Sequence, residues 1–204
     1  DMNSEVATWI EHIRAWPEQN VLAVESKGSS LAALLFGAVV CNRNVHVCRV
    51  CTRNDIMLVR ASKQRGLSIT CDVNVLDLYA APGSKHISLS DQESLWENID
   101  IADAVTGPPD LVLPLLLSSV HEGRISLDWV TASLVSGPRR ILGLPLAESM
   151  SSYIEVDLDE VWQPAAASGL QGLKCRGRIR RVSFGGSIAY LDGKVWCKPG
   201  SGRN

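Results

Sequence analysis

The side chains able to do chemistry in this 204-residue chain are scattered: six cysteines, four histidines and 22 acidic residues. Two of the cysteines fall in a Cys48-Arg-Val-Cys51 spacing. A redox pair of that spacing places its first cysteine at a helix N-terminus, and a closed zinc site needs two further ligands at a regular interval. The sequence offers neither, so two reduced thiols at a strand end are expected. His12, His46, His86 and His121 form no HxH or HExxH pattern, which makes satisfied or exposed histidines the expectation. Gly83 and Gly185-Gly186 lack the strand-to-helix setting and the Lys-Ser/Thr ending of a phosphate loop. The six tryptophans share no common period, which fits packing rather than a base-stacking platform.

Composition narrows the partners. Twenty basic and 22 acidic residues leave a net charge of -2, which gives no electrostatic reason to expect nucleic acid or an anionic membrane. The basic run from Lys174 to Arg181 alternates charge with small or apolar residues, the pattern of one solvated strand face. A 46% hydrophobic and 21% charged composition predicts a folded domain with no need of a disulfide framework. The longest apolar stretch, Leu111 to Leu117, is interrupted by Pro114 and is far short of the roughly 20 residues that span a bilayer. No basic-then-apolar leader follows Asp1, so a cytoplasmic location is expected.

The elements that must position these residues follow from periodicity. Met2, Val6, Trp9, Ile10, Ile13 and Trp16 recur at three- and four-residue intervals up to Pro17, predicting a helix with no strand before it. Asn20–Val24, Val45–Val50, Leu67–Val73 and Ile101–Val105 are predicted strands. Between them fall helices over Leu31–Val40, capped by Ser29 or Ser30, from Thr52 to about Gly66, and over Asp91–Asn98. Further helices are expected at Pro109–Val120, Leu127–Leu134 and Pro138–Leu142. Strands alternating with helices predict an α/β parallel arrangement, four units being half of a (β/α)8 barrel. Past Ser151 the texture changes to Tyr153–Leu158, Gly177–Phe184 and Ile188–Leu191, with Gly185-Gly186 and Asp192-Gly193 as turns. The expected division is residues 1–150 as the latter half of a barrel and 151–204 as a β-rich appendage.

Particular stretches carry a resemblance: Val45-His-Val-Cys-Arg-Val50, Gly66-Leu-Ser-Ile-Thr-Cys-Asp-Val73, Leu95-Trp-Glu-Asn98, Leu113-Pro-Leu-Leu-Leu117 with Glu122-Gly-Arg-Ile-Ser-Leu-Asp128, Pro138-Arg-Arg-Ile141, and Tyr153–Leu158 through Ala189-Tyr-Leu-Asp-Gly193. In this order the chain resembles the dihydroorotase domain of the multifunctional pyrimidine-synthesis proteins that also carry carbamoyl-phosphate synthetase and aspartate transcarbamoylase. The resemblance implies an amidohydrolase-type TIM barrel whose active members hold zinc at the C-terminal mouth through histidines, a carbamylated lysine and an aspartate.

This sequence departs from that pattern. Arg49 stands at one family histidine, Leu76 at another, and the catalytic aspartate falls near Pro108, with Asp110 a shifted carboxylate expected near a helix N-terminus. The resemblance implies that the family's substrate-binding loop before the Leu113 helix is deleted here, and that its first histidine pair and its lysine would lie upstream of Asp1. Arginine carries a fixed cation with no acceptor, and leucine has no lone pair at all. The pattern therefore resembles the inactive dihydroorotase-like domain of the fungal version of the protein. It implies a noncatalytic domain without a metal or other cofactor, whose partners are the flanking synthetase and transcarbamoylase domains of the same polypeptide, with homo-oligomerisation left open. Two alternatives stand beside it: an active metal-dependent cyclic amidohydrolase, and a ligand-binding regulatory module.

Overall fold

The chain is described by a computed structural model over residues 2–80, 87–145, 152–163, 170 and 173–200. Gly83 and His86 lie outside the described residues, as does the expected domain boundary at residue 150. Two compact units are present, one of residues 1–107 and 131–144, the other of residues 108–130 and 145–204.

The first unit is an open parallel sheet in the order β1-β2-β3-β4, formed by Leu22–Val24, Val45–Val47, Ile69–Asn74 and Ala104–Thr106. All three ladders are parallel, with Val45 opposite Ile69 and Asp72 opposite Ala104. Helix α1 (Met2–Ala15) precedes β1, and helices α2 (Gly28–Val40) and α3 (Arg53–Gln64) connect the first three strands, as parallel neighbours require. A four-residue α4 (Val75–Leu78) follows β3 directly, and α5 (Leu89–Glu97) precedes β4. The core is aliphatic: Leu31, Val45, Val47, Ile56, Val59, Cys71, Val73 and Leu95 are each at or below 1% exposure. Helices α1 and α2 approach closely because Gly37 has no side chain; a Cβ there would lie 3.1 Å from Ile13 Cδ1.

The caps correct one expectation. Neither Ser29 nor Ser30 caps α2; the helix starts at Gly28, after Lys27, and its first N–H is taken by Asp55 Oδ1 at 2.7 Å. Asp55 lies in the first turn of α3, where its N–H is in turn capped by Thr52 Oγ1 at 3.2 Å. One buried carboxylate therefore serves two helix starts, which removes the need for a local serine cap.

In the second unit, α6 (Val112–His121) packs on an antiparallel sheet in the order β5-β6-β7-β8, formed by Tyr153–Trp162, Cys175–Phe184, Ser187–Leu191 and Lys194–Val195. Residues 109–111 form a turn rather than the helical start expected at Pro109. Ser118 accepts the Arg176 N–H at 2.8 Å, and Gly177, at φ +100°, admits Leu117 where a Cβ would sit 2.7 Å from Leu117 Cβ. The turns at Gly185-Gly186 and Asp192-Gly193 have positive φ at both residues, as tight hairpins demand. The basic run is an ion-paired strand: Arg178 meets Glu160, Arg180 meets Asp157, Glu160 and Asp192, and Arg181 meets Glu155. The segment 127–141 runs through α7 (Leu127–Thr131), a wide π-type turn (Ala132–Ser136) and α8 (Gly137–Ile141). No described helix is long and apolar enough to cross a membrane.

Candidate functional site

Ligand sites of parallel α/β sheets lie at the C-terminal ends of the strands. There four polar side chains come onto one face: His46 of β2 and Cys48 just past its end, two residues apart, beside Thr70 and Asp72 of β3. His46 Nδ1 lies 2.9 Å from Thr70 Oγ1 and Nε2 lies 3.0 Å from Asp72 Oδ2. Since a carboxylate only accepts, Nε2 carries the ring proton and Nδ1 accepts from the Thr70 hydroxyl. His46 is thus the satisfied histidine that the sequence predicts. The second carboxylate oxygen of Asp72 accepts the Arg49 N–H at 3.1 Å and the Thr106 hydroxyl at 3.0 Å. Burial pushes the Asp72 carboxyl up, but the donors from His46, Arg49 and Thr106 together outweigh it and hold the group below its ordinary value of 3.8.

The chain leaves β2 in a sharp turn fastened to β3. Cys48 N–H bonds Val24 O at 2.7 Å and Val50 N–H bonds Asp72 O at 2.9 Å, with Arg49 between them at φ +53°. That left-handed conformation is unusual outside glycine, and the bonds on either side maintain it. From this turn the Arg49 guanidinium reaches Asp77 on α4, Nε to Oδ2 at 3.0 Å and Nη2 to Oδ1 at 3.1 Å. Asp77 is 2% exposed and Arg49 40% exposed, so a buried carboxylate is neutralised by a partly exposed fork. The hydrogen bonds and charge of Asp77 raise the affinity of Arg49 for its proton further.

Leu76 occupies the second position of α4, where Asn74 caps its N–H at 2.9 Å. Pro108 follows β4 by two residues and belongs to the second unit, where its carbonyl accepts the Leu111 and Val112 N–H groups that lead into α6. Asp110 precedes α6 by two residues and lines a hollow of about 510 Å³ in the second unit, with Pro114, Trp162, Arg178 and Tyr190. The first unit has a separate apolar hollow of about 490 Å³ between α1 and β1, lined by Trp9, Ile13, Trp16 and Leu22.

A dinuclear zinc centre does not fit the positions that the resemblance assigns to its ligands. A guanidinium committed to Asp77 and an isobutyl group supply no lone pair, and Pro108 has only its carbonyl, already accepting.

Cysteine chemistry is muted. All six thiols are free. Burial pushes Cys71 up to about 12, and burial followed by the charges of Asp72 and Glu25 raises Cys48. What spacing alone did not single out is the triad His46, Cys48 and Asp72, whose donor atoms all lie within 4.8 Å of one another. The signal was present as a His-x-Cys on a strand, but the carboxylate that completes it comes from the neighbouring strand 24 residues beyond Cys48 and appears only with the register.

No protein-family model matches the chain. Among solved structures, it superposes on the inactive dihydroorotase-like domain of the Chaetomium thermophilum CAD-like multifunctional protein with a TM-score of 0.86 and 30% identity, over 96% of this chain and 66% of that one. A D-hydantoinase superposes with a TM-score of 0.72 at 16% identity, over 95% of this chain and 54% of that one, a likeness of fold alone. The fold is therefore that of the amidohydrolase-type domains, mixed α/β with a β-sheet appendage. Among curated proteins, it is 33% identical over 240 residues to multifunctional protein CAD of Squalus acanthias, covering 98% of this chain and 11% of that protein. It is 31% identical over 214 residues to multifunctional protein pyrABCN of Emericella nidulans, covering 94% of this chain and 9% of that protein. The chain is homologous to the dihydroorotase-like region of these CAD-type multifunctional proteins, and it spans about a tenth of their length.

Proposed function

We propose that this is a noncatalytic dihydroorotase-like domain that joins the carbamoyl-phosphate synthetase and aspartate transcarbamoylase regions of a cytoplasmic multifunctional protein of de novo pyrimidine synthesis. Residues 1–150 supply the latter half of the barrel and 151–204 the appendage. The observation that carries this reading is the Arg49–Asp77 fork: a permanent cation is bound to a buried carboxylate, at the position the resemblance assigns to a metal-binding histidine of active members. Leu76 and Pro108 are the other degenerate ligand positions, and together the three remove the lone pairs on which Lewis-acid activation of water depends.

Opening a cyclic amide requires an activated water and a polarised carbonyl. With no donor at positions 49 and 76, neither can be organised there, and the domain's contribution is folding stability and the spacing of its neighbours. The test is an assay of dihydroorotate hydrolysis and synthesis by the full-length polypeptide in saturating zinc. The expected result is no turnover above a heat-denatured control, with synthetase and transcarbamoylase activities intact. Turnover abolished by a chelator would remove the reading in favour of an active hydrolase.

A further inference from the structure

We infer that the hollow beside the N-terminal ends of β2 and β3 is a binding site for a phosphate-class oxyanion, taken up as the free ion or as the phosphoryl group of a small metabolite. It lies at the opposite end of these strands from Arg49 and Leu76. The site goes beyond the noncatalytic reading and stands independently of it.

Two loops of equal length build it. Cys41 closes α2 and Arg65 closes α3, and each is followed by a residue in the left-handed region, Asn42 at φ +50° and Gly66 at φ +74°. Asparagine and glycine take that conformation most readily, and each loop enters its strand three residues later, at Val45 and Ile69. The Val45 N–H bonds Ser68 O at 3.1 Å, which sets the loops side by side. The hollow has a volume of about 130 Å³, and its lining includes Asn42, Arg43, Asn44, Gly66 and Ser68. Pockets that take drug-sized molecules start at roughly 300 Å³, so the occupant here is a small ion or one group of a larger molecule.

The donors decide the sign of that ion. No carboxylate lines the hollow. Arg43 Nη2 donates to Pro17 O at 2.7 Å, which anchors the guanidinium. Among the described residues Arg43 forms no ion pair, and its other side-chain N–H groups have no acceptor. The side-chain amides of Asn42 and Asn44 and the Ser68 hydroxyl also make no hydrogen bond within the described residues. A guanidinium, two amides and a hydroxyl supply a permanent positive charge and directed donors, the set that holds a tetrahedral oxyanion.

One effect opposes an anion: the C-terminal ends of α2 and α3, which carry partial negative charge, both lie here. That charge resides on unpaired carbonyls, and the loops occupy them. The Arg43 and Asn42 N–H groups bond Ala38 O and Val39 O, while those of Leu67 and Gly66 bond Ser62 O and Lys63 O. The charge of Arg43 is therefore left to set the field. An ion held by Arg43 and the two asparagines from one loop and by Ser68 from the other clips α2–β2 to α3–β3 and stabilises the folded chain by mass action.

The experiment titrates the isotopically labelled 204-residue chain with inorganic phosphate at constant pH and ionic strength, following each amide resonance. A residue-by-residue readout is needed because phosphate also strengthens burial generally, by exclusion from protein surfaces. Saturable shifts confined to residues 42–44 and 66–68 are expected. Arg43→Met should weaken binding by about 10- to 100-fold, as loss of charge-assisted hydrogen bonds requires. Ser68→Ala leaves the Arg43–Pro17 bond in place and should weaken it by about 2- to 10-fold. In a second arm, saturable shifts with methyl phosphate at the same residues assign the site to a phosphoryl group, and a response to inorganic phosphate alone assigns it to the free ion. Shifts that rise linearly or spread over the chain, or saturable binding that Arg43→Met leaves unchanged, would overturn the site.

Discussion

The Arg49–Asp77 fork makes a quantitative demand on stability. Replacing Arg49 by methionine leaves the Asp77 carboxylate at 2% exposure without its cation and two of its donors. Removing one partner of a fully buried pair costs about 3–5 kcal/mol, but the Arg49 side chain is 40% exposed, so water shares the load and the cost falls to about 2–3 kcal/mol. At this chain length that lowers Tm by roughly 5–10 °C. The double variant Arg49→Met with Asp77→Leu removes both charges and should return to within about 1 kcal/mol of the parent, because the desolvation cost disappears along with the attraction. Urea unfolding of the parent, both single variants and the double variant measures the coupling energy, expected near 2 kcal/mol. A coupling below about 0.5 kcal/mol, the worth of an ordinary surface pair, would show that the fork is incidental to the fold.

Further outcomes follow from the same geometry. Asp55→Ala uncaps Gly28 N–H and Thr52 at once and should cost about 2–3 kcal/mol by denaturant titration, more than a single helix cap. Gly137→Ala would set a Cβ 1.8 Å from the Asp103 carbonyl oxygen and should reduce soluble yield or lower Tm sharply. Because the folded Asp72 carboxyl is held below its ordinary 3.8, its stabilisation is present above that pH and lost as pH falls through the lower folded value; acid unfolding of Asp72→Asn should therefore show a shallower pH dependence below about pH 4. Under native conditions Cys197, which is exposed, should react first with a maleimide, while Cys71 and Cys175, both fully buried, should remain unmodified until unfolding.

Much of the parallel sheet was legible because its strands are short apolar runs bounded by glycines and caps, and the Thr52 start and Gly66 end of α3 are local signals. The start of α2 was not, because Asp55, 27 residues away, does the capping and no local pattern records it. Helix α4 is a single turn set by the Asn74 cap, too short to show a period. Strand β5 runs on past Leu158 to Trp162 through register shifts that break the alternation on which strand reading depends. At the candidate site, Arg49 and Leu76 stood out as chemically wrong residues for ligands, but the partner of Arg49 emerged only when α4 brought Asp77 beneath it. The His46–Asp72 pair was hidden for a similar reason: each residue is unremarkable in its own strand, and only the parallel register places them 3.0 Å apart.

The proposed loss of hydrolytic chemistry is tested most directly by steady-state assay of dihydroorotate turnover by the full-length protein, with zinc in excess and again after chelation. Rates in both states equal to the heat-denatured control are the predicted result. A zinc-dependent rate that chelation removes and metal restores would contradict it.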